Sequence, residues 1–409
     1  MGRRTFGDLC GIIADEIGEE RFLSESFIEE NLLQKGDESI ATERQRIMFN
    51  AQKKTSGGYI SGEIKVAVTL RLMSGASYLD VAALFRIGFT HTIAIFHEVI
   101  AEWICNDRIL PFKGLSYFDD NDAMKRTASE FAATGCHNGV FGGVVGAIDG
   151  WLVKIRRPKK NDNAGDASSF YCRKGFYGIN VQAIVDKRKQ ILWRSIKCRG
   201  AEHDSNALKK TELYKKLLEK TDDLSNNGLY LVGDSAYPIR SFLLVPFDNA
   251  IPQSPEDCFN YHLSTCRIWV ECAFGEVDMR WGILWKPLQF SLERNVNVID
   301  AALRLHNFLI MSRGEQCATD EINGYGLETL EFLRDNPGEQ VGVTNADDGT
   351  QAADPRGRLE RPEEKSRMLG VSLRDYIKNL LNLNGFRRPN NTTGSGWYRD
   401  RFNRIHVNN

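Results

Sequence analysis

Three carboxylates in this chain fall where pattern and chemistry together suggest a use. The run FGGVVGAIDGWLVKI at 141–155 reads as a buried strand bounded by glycines, with Asp149 at its C-terminal end and a second strand, Trp151–Ile155, behind it. Leu229–Val232 is another short apolar strand and runs directly into Gly233-Asp234. Further on, Cys266, Val270, Ala273, Phe274, Val277 and Trp281 trace an apolar helical stripe. Glu271 sits beside that stripe, with Arg267 one turn behind on the same face. Two carboxylates at strand ends and one on a late helix can meet at one edge of a sheet. Clustered in that way they repel and raise one another's pKa values unless a cation neutralises them. Mg²⁺ or Mn²⁺ suits such hard oxygen ligands, and two divalent ions can drive an in-line phosphoryl displacement by a water or a 3′-hydroxyl. The competing reading is three surface acids among the 54 that the chain contains.

The elements that would position these groups form a mixed series. Strands are predicted at Gly178–Val185 and Ile191–Ile196, joined by the turn Asp186–Gln190 and followed by a helix near Ser205–Glu219. A meander followed by alternating helix and strand implies an α/β chain, a mixed sheet with flanking helices. Upstream, Ile64, Ala67, Val68, Leu70 and Met73 follow a helical period with Ser61 as N-cap. Ser77 with Asp80 opens a second helix, and Thr90 is expected to cap a third that runs through Trp103 after the Gly88 turn. This is a helix-turn-helix pattern, although the third helix carries no Arg or Lys before Arg108, and ordinary helical packing stays open. Residues 1–55 read as a polar arm with helix-compatible patches at Leu9–Ile17 and Phe27–Leu33.

Other groups near the three carboxylates have two readings each. Asp204 in His203-Asp204-Ser205 either joins the acidic pocket or caps the helix starting near Ser205, and the cap is preferred. Arg267 either balances Glu271 or reaches a phosphate. Asp278 lies two turns beyond Glu271 on nearly the same face. Tyr237-Pro238 shapes the turn after Asp234. An acyl-transfer site on Ser235 lacks a positioned base and an oxyanion hole. Cys258, His262 and Cys266, with Cys272 or His306, have zinc-ligand types, but buried thiols explain the cysteines better. Neither a dinucleotide fingerprint nor a phosphate-binding loop is present.

Charge is uneven beneath a neutral average. The 409 residues hold 53 Lys plus Arg and 54 Asp plus Glu. Yet residues 151–200 contain 13 basic and 3 acidic side chains, and 311–355 contain 10 acidic residues against 2 arginines. Lys154, Arg156, Arg157, Lys159, Lys160, Arg173 and Lys174 are therefore candidate phosphate contacts beside Asp149, with solvated hairpin loops as the alternative. Arg156–Lys160 also has the composition of a nuclear import signal. The acidic stretch reads as a tail or linker, and 369–384 as a short amphipathic helix. The N-terminal segment lacks a signal peptide's apolar core, no window is apolar enough for a membrane helix, and nine scattered cysteines fit free thiols. A soluble intracellular protein with no membrane partner is expected.

The motifs GAIDG at 146–150, RKGFYGINVQAIVD at 173–186, HDS at 203–205, GDSAYP at 233–238, RIWVECAFGEVDMRWGIL at 267–284 and LHN at 305–307 resemble the DDE endonuclease domain of Harbinger-type transposases and their domesticated relatives. The likeness runs from about Ser61 to Phe308, and DYIKNLLNLNGFRRPN at 375–390 is similar to that family's C-terminal tail. It implies an RNase H-like fold that binds two divalent ions, with Asp149, Asp234 and Glu271 as catalytic metal ligands spaced 85 and 37 residues apart. It also implies a DNA-binding helix-turn-helix upstream, double-stranded DNA and transposon ends as substrate, a Myb-like DNA-binding partner and a nuclear location after import from the cytoplasm. A homodimer is a further expected assembly. The expected organisation is an arm at 1–58, a helix-turn-helix region at 59–115, the nuclease core at 116–310, an acidic extension at 311–368 and a C-terminal helix and tail at 369–409. Two departures bear on activity. Trp151-Leu152 replaces the family's small hydroxyl residue and His, and Asp278 replaces a basic residue. A domesticated DNA-binding or scaffold protein without cleavage, and an RNA nuclease, are the competing functions.

Overall fold

A computed structural model describes residues 1–18, 22, 60–134, 139–159, 162, 165–317 and 361–389. The expected helical patch at Phe27–Leu33, Lys160, most of the acidic extension and the tail from Asn390 lie outside the described residues. Helix α1 (Arg3–Ile17) buries Leu9 and Ile13. Helix α2 (Gly62–Met73) starts where Ser61 stands, its hydroxyl accepting the Ile64 N–H at 3.3 Å. Ser77 opens α3 (Tyr78–Phe85) in the same manner, accepting the Leu79 N–H at 3.3 Å. Arg86, at φ 55°, ends it. Helix α4 (Phe89–Glu98) follows Gly88 directly, without the Thr90 cap that the sequence suggested, and continues as a wider π-helical turn, Val99–Ile104. The axes of α3 and the helix that follows differ by 101°. Helix α5 (Asn121–Thr134) then leads to the sheet.

Strand β1 (Val144–Lys154) pairs antiparallel with β2 (Gly178–Val185), which pairs antiparallel with β3 (Ile191–Arg199). Three short helices follow, α6 (Asp204–Lys209), α7 (Glu212–Glu219) and α8 (Thr221–Asn226). The chain re-enters the sheet as β4 (Tyr230–Val232), parallel to β1, and β5 (Leu243–Leu244), parallel to β4. The order is β3-β2-β1-β4-β5, a mixed five-stranded sheet among the described residues. β1 is one strand, not two. Its pairing with β2 runs unbroken from Ala147 to Lys154, so Asp149 lies mid-strand opposite Ala183 and not at a strand end. Gly150 reads as a stop in the sequence, but in place it keeps the ladder and only removes a side chain.

Two apolar layers clamp the sheet. On one side Ala147, Val153, Val181 and Ala183 pack against Val270, Ala273, Phe274 and Val277 of α9 (Pro255–Arg280), and against α10 (Leu292–Cys317). On the other, Val145, Ile148, Ile184 and Leu231 meet Leu208, Leu213 and Leu217. Fully burying each such side chain contributes about 1.5–3 kcal/mol. Helix α9 begins earlier than its apolar stripe suggested, because Ser254 accepts the Asp257 N–H at 3.2 Å and Pro255 supplies a preset first turn. Helix α11 (Arg361–Leu383) docks across β5 and α9. There the Ser366 and Ser241 hydroxyls lie 3.1 Å apart, and Lys378 meets Glu256 at 3.1 Å. No single helix among the described residues is long and apolar enough to cross a membrane.

Candidate active site at the edge of the mixed sheet

Alternation along β1 turns Asp149 to the same side as Ala147 and Val153, toward α9. On α9, Arg267 and Glu271 lie one turn apart and face it. One guanidinium nitrogen of Arg267 is 3.6 Å from Asp149 Oδ2 and 3.4 Å from Glu271 Oε1, a loose bridge between strand and helix. Asp149 Oδ1 also accepts the Gly150 N–H at 2.7 Å. Asp234 follows β4, the strand next to β1, and its Oδ1 accepts the Ala236 N–H at 2.9 Å, which fixes the turn. Asp149 and Glu271 thus share Arg267, and Asp234 is near enough for its charge to act on both.

Their electrostatics reflect that crowding. Burial pushes Asp149 up to about 7, Arg267 pulls it back, and the charges of Asp234 and Glu271 push in the same direction as burial. Asp234 is raised by burial against the opposing pull of Arg267, and Asp204 adds to the rise. Glu271 is raised by desolvation, lowered by Arg267 and raised again by Asp234. Carboxylates raised in this way by burial and by one another's charge favour a further cation.

Asp204 takes a different position from the preferred expectation. It opens α6, but its side chain makes no cap bond there, and His203 holds the N-cap position. Instead Asp204 Oδ1 accepts from Asn180 Nδ2 at 2.9 Å and Gln182 Nε2 at 2.8 Å, two polar side chains buried in β2. Buried amides need partners, and this carboxylate supplies them where helix-end N–H groups can use water. Tyr237 completes the network, its hydroxyl donating to Gln182 Oε1 at 2.5 Å. A Cβ on Gly150 would stand 2.2 Å from Asp204 Oδ1, so the residue after Asp149 has no room for a side chain. Sequence reasoning missed Asn180 and Gln182. Their signal was present in GINVQAIV, where two amides two residues apart interrupt an otherwise apolar strand.

The remaining candidates are spread around this centre. Trp151 stacks on Phe274 with ring centres 5.5 Å apart and planes 20° apart, tying β1 to α9 beside the carboxylates. Asp278 is raised by desolvation and offset by Lys154, and so faces the basic run. Arg156 serves the fold: it pairs with Asp162 at 3.0 Å and donates to the Gln289 carbonyl at 2.9 Å. Arg173 is close enough for its charge to lower the Asp234 pKa, while Arg157, Lys159 and Lys174 are exposed. Cys258, Cys266 and Cys272 are free thiols.

The donor types at this edge suit a hard divalent ion, since all three are carboxylates that already repel one another. Among the described residues, no three Asp, Glu, His or Cys side chains are drawn close enough to enclose an ion. Closing Asp149, Asp234 and Glu271 on a cation would require Arg267 to leave the bridge.

The DDE superfamily endonuclease family matches residues 148–307, a span that holds Asp149, Asp204, Asp234 and Glu271. That segment is similar to DDE superfamily endonuclease domains. Its likeness to Harbinger-type, transposase-derived nucleases extends to named relatives. Protein ALP1-like of Arabidopsis thaliana is 28% identical over 33% of this chain and 36% of its own length. Antagonist of like heterochromatin protein 1, also from Arabidopsis thaliana, is 26% identical over 62% of this chain and 64% of its own length. "Putative nuclease HARBI1" of Mus musculus is 27% identical over 40% of this chain and 45% of its own length. The chain thus spans between about a third and two thirds of these relatives. No solved structure matches it.

Proposed function

We propose that this protein is a divalent-metal-dependent endonuclease that cleaves phosphodiester bonds in double-stranded DNA and can pass a freed 3′-hydroxyl to a second strand. The convergence of Asp149, Asp234 and Glu271 on Arg267 carries this reading. The strand order β3-β2-β1-β4-β5 supports an RNase H-like core. Asp149, Asp234 and Glu271 would hold two Mg²⁺ or Mn²⁺ ions. Once bound, such ions lower the pKa of the attacking water or hydroxyl and neutralise the leaving oxygen.

The chain's own residues do the rest. Asp149 is fixed by the strand ladder and Glu271 by α9, so their separation is set by packing and not by a loop. Asp204, held by Asn180, Gln182 and through them Tyr237, backs the Asp149–Gly150 peptide from the opposite face. Arg267 serves as the counter-cation that keeps the carboxylates together, and once displaced it can turn to a substrate phosphate. Arg173, Arg157, Lys159 and Lys174 supply the backbone contacts that position DNA without reading its sequence.

The helices α3 and α4, crossing at 101° across a short turn, support a helix-turn-helix DNA-binding role for 59–115. Transposon ends, a Myb-like partner, a homodimer and nuclear action are part of the same proposal. A non-catalytic, domesticated role is the second reading. It is favoured by Arg267 sitting where a cation is needed, and by a relative named for antagonism of a heterochromatin protein and not for cleavage. Metal-dependent nicking of supercoiled plasmid, lost in Asp149→Asn, separates the two.

A further inference from the structure

The end of β1 away from Asp149 carries aromatic side chains that cleavage itself does not use. Leu288 N–H donates to the Lys154 carbonyl at 3.0 Å, and Arg156 N–H donates to the Leu288 carbonyl at 2.9 Å. This short pairing sets Trp285 and Lys286 beside the basic run that begins at Lys154. Trp285 is 60% exposed, yet its indole is pinned, with Nε1 donating to the Asp278 carbonyl at 2.7 Å. The Asp278 carboxylate feels the Lys154 ammonium, which lies 5.3 Å from the Phe176 ring centre. Next in the chain, Tyr177 meets half-exposed Tyr171 edge to face at 5.1 Å, and the Arg157 guanidinium is 6.0 Å from the Tyr177 ring. Rings and cations are therefore neighbours around this end of β1.

A large apolar ring held fixed at the surface loses little conformational freedom when something stacks on it. Rings interleaved with cations match a polynucleotide whose bases are unpaired, since stacking takes the base faces and the cations take the phosphates. A closed duplex hides those faces. Distance also fits. Asp278 is two helical turns beyond Glu271, about 10 Å at 1.5 Å per residue. Lys154 is about 17 Å along the strand from Asp149 at 3.3 Å per residue. Both lengths are short enough for one DNA strand to reach the carboxylates and this surface together.

We propose that Trp285, together with Tyr171, Lys154, Arg157 and Lys286, forms a stacking site for unpaired nucleotides of a DNA strand beyond the cleaved phosphate. The position relative to cleavage rests on the nuclease reading; the binding does not. The site would hold a frayed or displaced strand while the paired part lies against the helical region.

The full chain is titrated against a labelled mixed-sequence single strand and against the same sequence as a blunt duplex, with chelator present so that no cleavage occurs. Trp285→Ala should weaken single-strand binding by about 5- to 150-fold, the effect of losing one stacked base. Duplex binding should change less than about twofold, and Trp285→Phe should keep most of the single-strand affinity. Equal losses on both substrates, or no loss on the single strand, would overturn the proposal. If Trp285→Ala does not fold, Tyr171→Ala must show the same selectivity, and equal effects on both substrates again overturn it. Wild-type nicking of plasmid tests the nuclease reading separately, so either idea can fail alone.

Discussion

Arg267 on α9 reaches across to Asp149 on β1, at 3.6 Å, while standing 3.4 Å from Glu271 on its own helix. One guanidinium therefore offsets two carboxylates that belong to different elements, both raised by desolvation. Removing it should leave that repulsion uncompensated. Arg267→Gln is expected to lower the melting temperature by a few degrees in chelator, and Mg²⁺ should recover more stability in the variant than in the wild type. Melting curves of both proteins across a Mg²⁺ titration check this, and equal recovery would count against the carboxylates as the ion's ligands.

Asp149 carries a stability cost of its own. Its folded pKa of about 7 lies above the ordinary 3.8, so the folded chain takes up its proton first. That contribution is complete below about pH 4 and is lost as pH rises through about 7. Asp149→Asn should therefore be more stable than wild type at pH 8, by a few kcal/mol at most, with the advantage shrinking on acidification. Urea unfolding at several pH values measures it. A constant difference would mean that the carboxylate is not desolvated.

His306 acts with the opposite sign. It is fully buried on α10, and its Nε2–H donates to the Lys189 carbonyl at 2.9 Å. Burial pushes its pKa down to about 4 from 6.5, and Arg280 adds to the lowering. Its stabilising contribution is present above about pH 6.5 and is lost as pH falls through about 4, a change of about 3 kcal/mol. His306→Gln should flatten the wild-type profile in that window, and an unchanged slope would show that another group titrates there.

Gly150 sits with its missing Cβ position 2.2 Å from Asp204 Oδ1 and 2.7 Å from Gln182 Nε2. Gly150→Ala must displace a buried, fully engaged network and is expected to destabilise the fold by about 2 kcal/mol or more. Gly146→Ala would press on the Ile184 side chain instead, at 2.6 Å. The informative readout is Tyr237, whose fluorescence or hydrogen-exchange protection should change in Gly150→Ala and not in Gly146→Ala.

Much of this arrangement was legible in the residues. Gly178–Val185 formed as expected because its apolar residues, buried throughout, outweigh the two amides at Asn180 and Gln182. Ser61 and Ser77 capped their helices because a hydroxyl there meets an orphan N–H locally. Asp149 was expected at a strand end, whereas it lies mid-strand opposite Ala183. Gly150 looked like a break, while its lack of a side chain answers Asp204, which arrives from more than fifty residues away. Asp204 was assigned to its own helix for the same reason: local pattern sees the nearby N–H groups and not the amides of β2. Arg267 bridging to Asp149 was equally out of reach, since helical spacing relates it only to Glu271.

Cleavage is the central claim, and one assay reaches it directly. Purified protein is incubated with supercoiled plasmid in Mg²⁺, in Mn²⁺ and in chelator, alongside Asp149→Asn and Asp234→Asn. We expect the wild type to convert supercoiled to relaxed DNA only with metal, and both variants to lose at least about a hundredfold of that rate while still binding the plasmid. Plasmid binding without relaxation by the wild type, with cognate ends and a Myb-like partner supplied, would contradict the nuclease reading and leave a DNA-binding protein on a DDE fold.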